Sequence, residues 1–564
     1  MIYKLIGSGD LENIVETILR NRGIEDPDSY LMLDESCCNK YSDLLHIDNA
    51  VKCFDEHFSQ NDKISILIDC DCDGFTSAAS MYQYIKDLDE DYPVEYIMHY
   101  MHKAHGLAKM DEGDFEIPED TKLLIIPDAG TNDNIQCNNV IKSGVDIIIL
   151  DHHEMEEEGR DNQAIIVNNQ ISDNYTDKDF SGVGIVYEFL RALDDYYMCD
   201  YADKYLDLVA FGNISDDMSV KNYQTRYYIN QGLKDVHNRF LLALFRNQNV
   251  SDINIHNITW NITPIVNAMI RLGTYEDRCD MFEAFVEEYR EFPYEKRGSR
   301  VVTMEDIYTR MARLCKNIKS KQDRLRDKVY TELLELVNLD NKVPIIVVQN
   351  ADSGIIGLSC VKLANAIHRP CIVLKDMNNG MLGGSARNCS NSPIPMFKDL
   401  NNSIGVFDLC AGHQGAHGIQ LQANKLEEAQ EKLNLAAENV EYDPTIYCDF
   451  IIPMEYLTPE IIGVIHGSQW LYGKGIDEPK VAIESVKLRH EQSKLMGKEQ
   501  DSVSFYCNGI RYCKFKCPPD DELLRLVSDG FDGVKTMNII GECSINEYNG
   551  NVEPQVIIRE YEIV

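Results

Sequence analysis

The chain has 564 residues, of which 44% are hydrophobic and 26% charged, and its formal net charge at pH 7 is −39. This length predicts several domains at ~150 residues each, and the composition excludes a wholly disordered chain. The negative charge repels phosphate backbones and argues against a general DNA-binding protein, but it leaves room for an enzyme whose bound cations reverse the local sign.

The chain shows no run of about eighteen apolar residues and no signal-peptide pattern, so we expect a cytoplasmic protein without membrane association. Its 18 cysteines are scattered, which is typical of reduced thiols in a cytosol. Cys507, Cys513 and Cys517 lack paired Cys-x-x-Cys spacing, so no zinc site is expected there.

The first 60 residues predict an N-terminal helical cap, because apolar residues recur at helical spacing over 11–19 and a stop follows at 22–24. From residue 64 the pattern changes to short apolar strands that alternate with helices over 76–88 and 134–143. The strands are predicted at 64–68, 123–126, 145–150 and 164–167. Such βαβ alternation indicates a parallel sheet, which we assign to a catalytic domain over 61–300.

Acidic residues follow three of these strands. Three lie within the segment 69–74 (DCDCDG), one lies in 128–130 (DAG), and one begins 151–153 (DHH). Strand C-ends lie side by side in a parallel sheet, so these acids should become neighbours. Carboxylates that crowd together repel unless a cation lies between them, and hard divalent cations prefer oxygen ligands. A metal site is therefore predicted at this edge. Further acids follow at Asp207, Asp216 and Asp217.

Residues 305–338 predict a long amphipathic helix, assigned as a connector over 301–340, whose polar face is locally basic. A second α/β unit is expected over 341–440. It contains the glycine-rich segments 383–387 (GGSAR) and 412–418 (GHQGAHG), which suit either a phosphate contact or an ordinary tight turn. Residues 441–564 predict a small β-rich domain, with an oligonucleotide-binding (OB) type barrel as one option.

Together these motifs resemble the Asp-His-His (DHH) phosphoesterase superfamily and, within it, the RecJ-like single-strand exonucleases. The superfamily motifs resemble 69–74, 128–130, 151–153 and the stretch from Asp207 to Asp216. More RecJ-like are 19–24 (LRNRGI), 181–184 (SGVG), 264–273 (PIVNAMIRLG), 354–357 (GIIG), 384–387 (GSAR) and 412–418.

The resemblance implies a two-metal site holding Mn²⁺ or Mg²⁺. The residues that look like its ligands are Asp71, Asp73, Asp128, His152 and Asp207. Supporting catalytic residues would be Asp69, Asp151 and His153. Phosphate-contacting residues would be Asn267, Arg271, Ser385, Arg387 and His413, in a cleft that admits a single strand. Along 69–73 we expect an extended alternation, with Asp71 and Asp73 facing the cations and the two cysteines facing away.

Two positions depart from the family pattern. The usual arginine before a Gly-Tyr-Gly-Leu turn is Tyr100 here, ahead of 104–107 (AHGL), and the arginine of a Pro-Arg-x-Asn motif is Ile265. The loss of these two positively charged side chains predicts weaker DNA affinity, a shorter substrate or dependence on a partner. The metal ligands are unaffected.

The resemblance favours a metal-dependent exonuclease on single-stranded DNA, with 5′→3′ polarity and a role in recombination, repair or replication. RNA and short oligonucleotides are further candidate substrates, and a replication or single-strand-binding protein is a candidate partner. One alternative is a phosphoesterase for short oligonucleotides or cyclic dinucleotides. Another is a catalytically silent replication scaffold. The cytoplasm would be bacterial, or that of the host if the chain is viral.

Overall fold

The computed structural model describes residues 1–102, 104–296, 298, 301–349, 351–389, 392–442, 445–548 and 551–564. Its α-helices, in chain order, are α1 (Ile14–Asn21), α2 (Pro27–Leu31), α3 (Ile47–Ser59), α4 (Cys72–Leu88), α5 (Asn134–Lys142), α6 (Gly182–Tyr197), α7 (Leu206–Ser215), α8 (Tyr223–Lys234), α9 (Arg239–Gln248), α10 (Ile255–Asn257), α11 (Thr263–Leu272), α12 (Tyr275–Phe285), α13 (Ile307–Leu336), α14 (Ser353–Ile367), α15 (Phe397–Ser403), α16 (Leu426–Ala436), α17 (Pro459–Gly467) and α18 (Glu522–Asp529).

The strands, again in chain order, are β1 (Tyr3–Leu5), β2 (Ile64–Ile68), β3 (Val94–Met98), β4 (Leu123–Pro127), β5 (Asp146–Asp151), β6 (Ile165–Asn168), β7 (Glu291–Glu295), β8 (Val302–Asp306), β9 (Ile345–Val348), β10 (Cys371–Asp376), β11 (Met381–Arg387), β12 (Leu409–His413), β13 (Ala416–Gln422), β14 (Ile446–Cys448), β15 (Phe450–Pro453), β16 (Val481–Arg489), β17 (Ser493–Met496), β18 (Ser502–Cys507), β19 (Ile510–Lys514), β20 (Val534–Tyr548) and β21 (Asn551–Ile563).

Contacts group the chain into two compact units. Unit 1 comprises Met1–Ile270, Tyr275–Ala312 and Thr445–Val564, and unit 2 comprises Arg271–Thr274 and Arg313–Pro444. The five-part domain division drawn from the sequence stays a prediction. No helix in the described part of the chain is both long enough and apolar enough to cross a membrane.

A five-stranded parallel sheet, in the order β3-β2-β4-β5-β6, organises the first part of unit 1. Strands β2 and β4 are buried along their whole length, as their unbroken apolar sequences require of central parallel strands. The four predicted strands are confirmed within one or two residues, and so is the α/β fold class. The edge strand β3 was not predicted, because its sequence mixes polar with apolar residues.

The N-terminal segment does more than cap this sheet. Helices are present as predicted, but β1 pairs in parallel with β14, more than 400 residues later in the chain. Arg22 follows α1 and makes a bidentate ion pair with Asp449, at 2.6 and 3.0 Å, with both side chains almost fully buried. The RecJ-like segment 19–24 thus anchors the start of the chain to its C-terminal part.

That C-terminal part is built on a seven-stranded mixed sheet, in the order β15-β16-β20-β21-β19-β18-β17. The long strands β20 and β21 form its antiparallel centre, and β19 pairs in parallel with β21. The β-rich character predicted for this region is confirmed, although its strands are longer than their sequence pattern indicated.

Unit 2 has its own five-stranded sheet, in the order β12-β13-β11-β10-β9. Both faces of β10 are buried, because Cys371 and Val373 belong to one apolar core while Ile372 and Leu374 belong to another. Helices α13 and α14 contribute to the first core, and α16 contributes to the second. This is the second α/β unit that the sequence predicts.

Candidate active site

The acids that follow β2, β4 and β5 meet at the C-terminal edge of the parallel sheet. Asp69 follows β2, Asp128 follows β4, and Asp151 is the last residue of β5. Asp128 adopts a left-handed backbone conformation (φ 64°), which is costly for a residue other than glycine and typical of functional sites. Its N–H donates to the carbonyl of Leu150 at 2.8 Å, which holds it beside β5.

The segment after β2 is not extended as the alternation argument expects. The chain enters α4 at Cys72, and Asp71 caps that helix by accepting a hydrogen bond from the N–H of Gly74 at 2.9 Å. Asp73 therefore lies in the first helical turn. Cys72 is buried, and its thiol donates to Asn267 Oδ1 at 3.4 Å. Helix capping decides the directions of these side chains.

The predicted histidine ligand lies between two carboxylates. His152 Nε2 is 3.2 Å from Asp128 Oδ1 and 3.4 Å from Asp216 Oδ2. Donor atoms within 4.8 Å of one another come from three overlapping groups: Asp73, His152 and Asp216; Asp69, Asp71 and Asp128; Asp128, His152 and His153. The structure thus unites the predicted residues of all three strand ends.

Asp73 is held in this cluster by the start of α6. It accepts hydrogen bonds from Ser181 Oγ (3.2 Å), the N–H of Gly182 (2.6 Å) and the N–H of Val183 (3.1 Å). A Cβ on Gly182 would lie 2.4 Å from Asp128 Oδ1, so only glycine lets the helix approach the acids this closely. This explains the SGVG segment, which the sequence marks without indicating its role.

Asp207, predicted as a ligand, contributes no donor atom to these groups, and its assignment as a ligand stays a prediction. Its carboxylate accepts hydrogen bonds from the N–H groups of Leu208, His237 and Asn238, at 2.8 to 3.0 Å. It lies at the start of α7, and Asp216 follows the end of that helix, roughly 13 Å away at 1.5 Å per residue. Asp216, rather than Asp207, contributes a donor atom beside Asp73 and His152.

The carboxyl groups of the cluster are buried close together, so the ionisation of each one is made less favourable by the negative charge of its neighbours. Burial, reinforced by neighbouring carboxylates, raises the pKa of Asp71, takes that of Asp73 to about 7, and raises those of Asp128 and Asp216 well above their usual range. Asp128 Oδ1 is buried and accepts no hydrogen bond from any described residue. A largely buried, oxygen-rich site of this kind, with the imidazole of His152, fits divalent Mn²⁺ or Mg²⁺.

Two carboxylate–histidine pairs flank the cluster. Asp151 accepts hydrogen bonds from the N–H groups of His152 (2.7 Å) and Thr131 (3.1 Å) and from His153 Nδ1 (2.8 Å). Although burial opposes it, His153 holds the pKa of Asp151 well below its usual range. Asp151 therefore stays ionised and orients the loop that carries both histidines.

The second pair joins Asp69 to His105, a residue the sequence did not single out. His105 Nδ1 lies 3.0 Å from Asp69 Oδ2, and the Asp69 carboxylate raises the pKa of His105 to about 10. The ring centroid of His105 is 4.7 Å from that of His153, so two imidazoles border the acids. The signal for His105 was present, since it occupies the tyrosine position of the family's turn.

The residues predicted to contact phosphate fall in both units. Asn267 lies in unit 1 beside Cys72. In unit 2, Arg387 Nη1 donates to the carbonyl of Ala386 at 2.8 Å. Burial lowers the pKa of its guanidinium, opposed by Cys360 and reinforced by Arg271. Ser385 is buried in the same strand, whereas His413 is exposed at the end of β12.

Comparison with known proteins defines the class of this fold and site. Residues 63–213 match the DHH family, N-terminal domain, and residues 448–560 match the RecJ OB domain. The second match falls in the segment for which the sequence predicts a β-rich, OB-type domain. The chain is thus a DHH protein by both its sheet and its acidic motifs.

Its full length also matches individual proteins. YorK, an SPbeta prophage protein of Bacillus subtilis (strain 168) whose name provisionally assigns it as a single-strand DNA-specific exonuclease, is 33% identical over 578 residues, covering 100% of this chain and 98% of YorK. RecJ of the same strain, named a single-stranded-DNA-specific exonuclease, is 24% identical over 570 residues, covering 97% of this chain and 67% of RecJ. The chain belongs to the RecJ-like family of DHH proteins.

The fold agrees with a solved member. The crystal structure of RecJ from Thermus thermophilus in complex with Mn²⁺ has a TM-score of 0.73 and 16% sequence identity, covering 100% of this chain and 78% of that one. A complex of the same protein with Mg²⁺ has a TM-score of 0.68. The resemblance seen in the motifs is confirmed at the level of family and fold.

Proposed function

We propose that this chain is a metal-dependent exonuclease that hydrolyses phosphodiester bonds of single-stranded DNA. The observation that carries the proposal is the buried Asp128 oxygen, which has no hydrogen-bond donor among the described residues, faces His152 Nε2 at 3.2 Å and lies among further carboxylates. The names of the RecJ relatives support the substrate class, and the polarity we propose is 5′→3′, in recombination, repair or replication.

Two cations, Mn²⁺ or Mg²⁺, would be held by Asp71, Asp73, Asp128, His152 and Asp216. When bound, such ions supply a water of lowered pKa and neutralise charge on the phosphate and leaving oxygen. The α6 N–H groups fix the Asp73 carboxylate at its two oxygens, so it is preorganised for this task. Asp151 fixes the orientation of the histidine loop.

Positive charge from the chain itself also borders the cluster. His105 and His153 each pair with a carboxylate whose negative charge raises the pKa of the imidazole, although burial opposes the shift at His153. Protonated imidazoles at this edge would attract a phosphodiester in an otherwise acidic chain. In unit 2 we assign phosphate contacts to Arg271, Ser385, Arg387 and His413, and in unit 1 to Asn267.

Tyr100 offers a second way to bind a single strand. It is 59% exposed and stacks on Tyr275, with ring centroids 4.6 Å apart and an interplanar angle of 26°. Exposed aromatic faces bind nucleobases without sequence preference. Stacking would thus replace the ion pair lost with the family arginine. Ile265, the other departure, is buried in the apolar core, so this position offers no surface for phosphate.

The acidity of the chain supports one alternative function, a phosphoesterase for short oligonucleotides or cyclic dinucleotides. A net charge of −39 penalises long polyanions more than short ones, and increasingly so at low salt. Chain-length dependence separates the two. An exonuclease on long strands degrades substrates of tens of nucleotides, whereas a short-substrate enzyme is fastest on dinucleotides.

The experiment compares 5′- and 3′-labelled single strands, duplex DNA, RNA and dinucleotides, each with Mn²⁺ and with EDTA. We expect rapid loss of single-stranded DNA with Mn²⁺, none with EDTA, and none with the Asp128→Asn variant. Intact single strands under all conditions would refute the proposal. A cytoplasmic location and a replication or single-strand-binding partner stay proposals, to be checked by fractionation and by pull-down with the Asp128→Asn chain.

A further inference from the structure

A second group of side chains of the types that bind metals lies at the opposite end of the parallel sheet from the acid cluster. Cys53 and His57 are on α3, and Asp146 is the first residue of β5. One donor atom from each lies within 4.8 Å of the other two. Asp151, at the far end of β5, is five residues and roughly 16 Å away at ~3.3 Å per residue, so this group is separate from the active site.

The geometry of the group suits a borderline-soft ion better than the hard ions of the active site. Positions i and i+4 of a helix share one face, so Cys53 and His57 point the same way. His57 Nε2 is 3.0 Å from Asp146 Oδ2, close to the ~3.3 Å that separates two ligands on a tetrahedral zinc ion. Sulfur, imidazole and carboxylate are the donors that zinc takes.

The imidazole is also oriented as in known metal sites. His57 Nδ1 lies 2.9 Å from Asp62 Oδ2, so a proton on Nδ1 would leave Nε2 with its lone pair toward Asp146 and Cys53. Ligand histidines commonly donate their other N–H to a carboxylate in this way. The Asp62 backbone carbonyl accepts from the Tyr92 hydroxyl at 2.7 Å, which fixes the loop that carries it.

The local field attracts cations. Asp146, Asp62 and Glu56 place negative charge around Cys53 and His57, and a bound cation would displace the thiol proton of Cys53 into solvent. Without an ion, the two ring nitrogens of His57 lie against Asp62 and Asp146, and Cys53 takes no part. The two arrangements therefore differ in the state of the Cys53 sulfur.

We propose that Cys53, His57 and Asp146 form a Zn²⁺-type site that joins α3 to the start of β5, with Asp62 as the residue that orients His57. The fourth position is left to water. The site ties the N-terminal helices to the parallel sheet and acts on stability, independently of the proposed nuclease activity.

The test uses the full chain, stripped of metal and titrated with Co²⁺ as a spectroscopic substitute for zinc. We expect one equivalent to give a near-ultraviolet sulfur-to-cobalt charge-transfer band, which oxygen-rich sites do not produce. Cys53→Ser should abolish the band. Cys70→Ser, which removes a half-buried cysteine beside the catalytic acids, should leave it intact and is the matched control. Asp62→Asn should weaken zinc binding by ~10–100-fold.

A measurement on the unaltered chain covers the case in which Cys53→Ser fails to fold. Zn²⁺ should slow alkylation of Cys53, followed by mass spectrometry, at least tenfold, while Mg²⁺ should not. Absence of the charge-transfer band, its persistence in Cys53→Ser, or equal alkylation with and without Zn²⁺ would each overturn the proposal. None of these readouts depends on nuclease activity, so the proposed function can fail or stand separately.

Discussion

Substituting the two acids at the ends of α7 tests the proposed ligand set most directly. Asp207 is a buried carboxylate and Asp216 a half-buried one; both have raised pKa values, and they bracket the same helix. Asp216 Oδ2 lies 3.4 Å from His152 Nε2, whereas Asp207 binds three backbone N–H groups at the other end. The pair is therefore matched in chemistry and differs in position.

We expect Asp216→Asn to lower kcat/KM on single-stranded DNA at least ~100-fold, or about 2.7 kcal/mol of transition-state stabilisation. The estimate is a lower bound, because even residues that only orient metal ligands cost ~10–100-fold when changed. Asp207→Asn should keep activity within a few-fold. It should lower the free energy of unfolding by about 1–3 kcal/mol, since a neutral amide accepts less well from the N–H groups of His237 and Asn238.

The assay combines initial rates on end-labelled DNA across a Mn²⁺ titration with urea unfolding followed by circular dichroism. Rates are compared only where both variants are folded. If Asp207→Asn loses activity as severely as Asp216→Asn, or if Asp216→Asn is fully active at saturating Mn²⁺, the ligand set derived from the geometry is refuted.

Three further substitutions probe the rest of the chain. Arg22→Met leaves the buried Asp449 without its cationic partner and should lower the free energy of unfolding by about 3–5 kcal/mol in urea titrations; a loss under about 1 kcal/mol would contradict the burial of this pair. Burial, partly offset by Arg191, raises the pKa of Glu188 to about 7 from 4.5, so its contribution to stability is present below pH 4.5 and is lost as the pH rises through 7. In Glu188→Gln, the free energy of unfolding should therefore change less with pH between these two values than in the unaltered chain. The same pH dependence in both chains would exclude this titration. Tyr100→Ala should weaken single-strand affinity by ~1–3 kcal/mol with the melting temperature unchanged, as measured by fluorescence anisotropy with the Asp128→Asn chain as background, and unaltered affinity would exclude base stacking.

The parallel sheet was predictable because its strands carry their own signal. The apolar runs at β2 and β4 are long enough for central strands and end at polar residues, so both type and position follow from local sequence. Topology then brings Asp69, Asp128 and Asp151 to one edge without further information. Strand β1 was not predictable from local sequence, because its three residues are a strand only through their pairing with β14, far along the chain.

The choice between Asp207 and Asp216 could not be made locally. The α7 sequence is apolar almost throughout, so no polar face indicates which end points toward the sheet edge. That direction is set by packing against α4, which is distant in sequence, as well as against the neighbouring α6. The extended conformation predicted for 69–73 differs from the structure for another reason, although Asp71 and Asp73 both contribute donor atoms to the acid groups. The Asp71 side chain accepts a capping hydrogen bond from the N–H of Gly74, so the chain is already helical from Cys72 onward.

The active site explains how a negatively charged chain could bind a negatively charged DNA strand. A net charge of −39 repels DNA at long range, but this repulsion is screened beyond about 8–10 Å in physiological salt. Within that distance, the edge of the sheet brings together carboxylates whose pKa values are raised by burial and by one another. Three histidines, His105, His152 and His153, lie beside them. Cations bound there would reverse the local sign, so metal binding and substrate binding should be coupled. Single-strand affinity should therefore rise with Mn²⁺ in the unaltered chain and respond far less in Asp128→Asn.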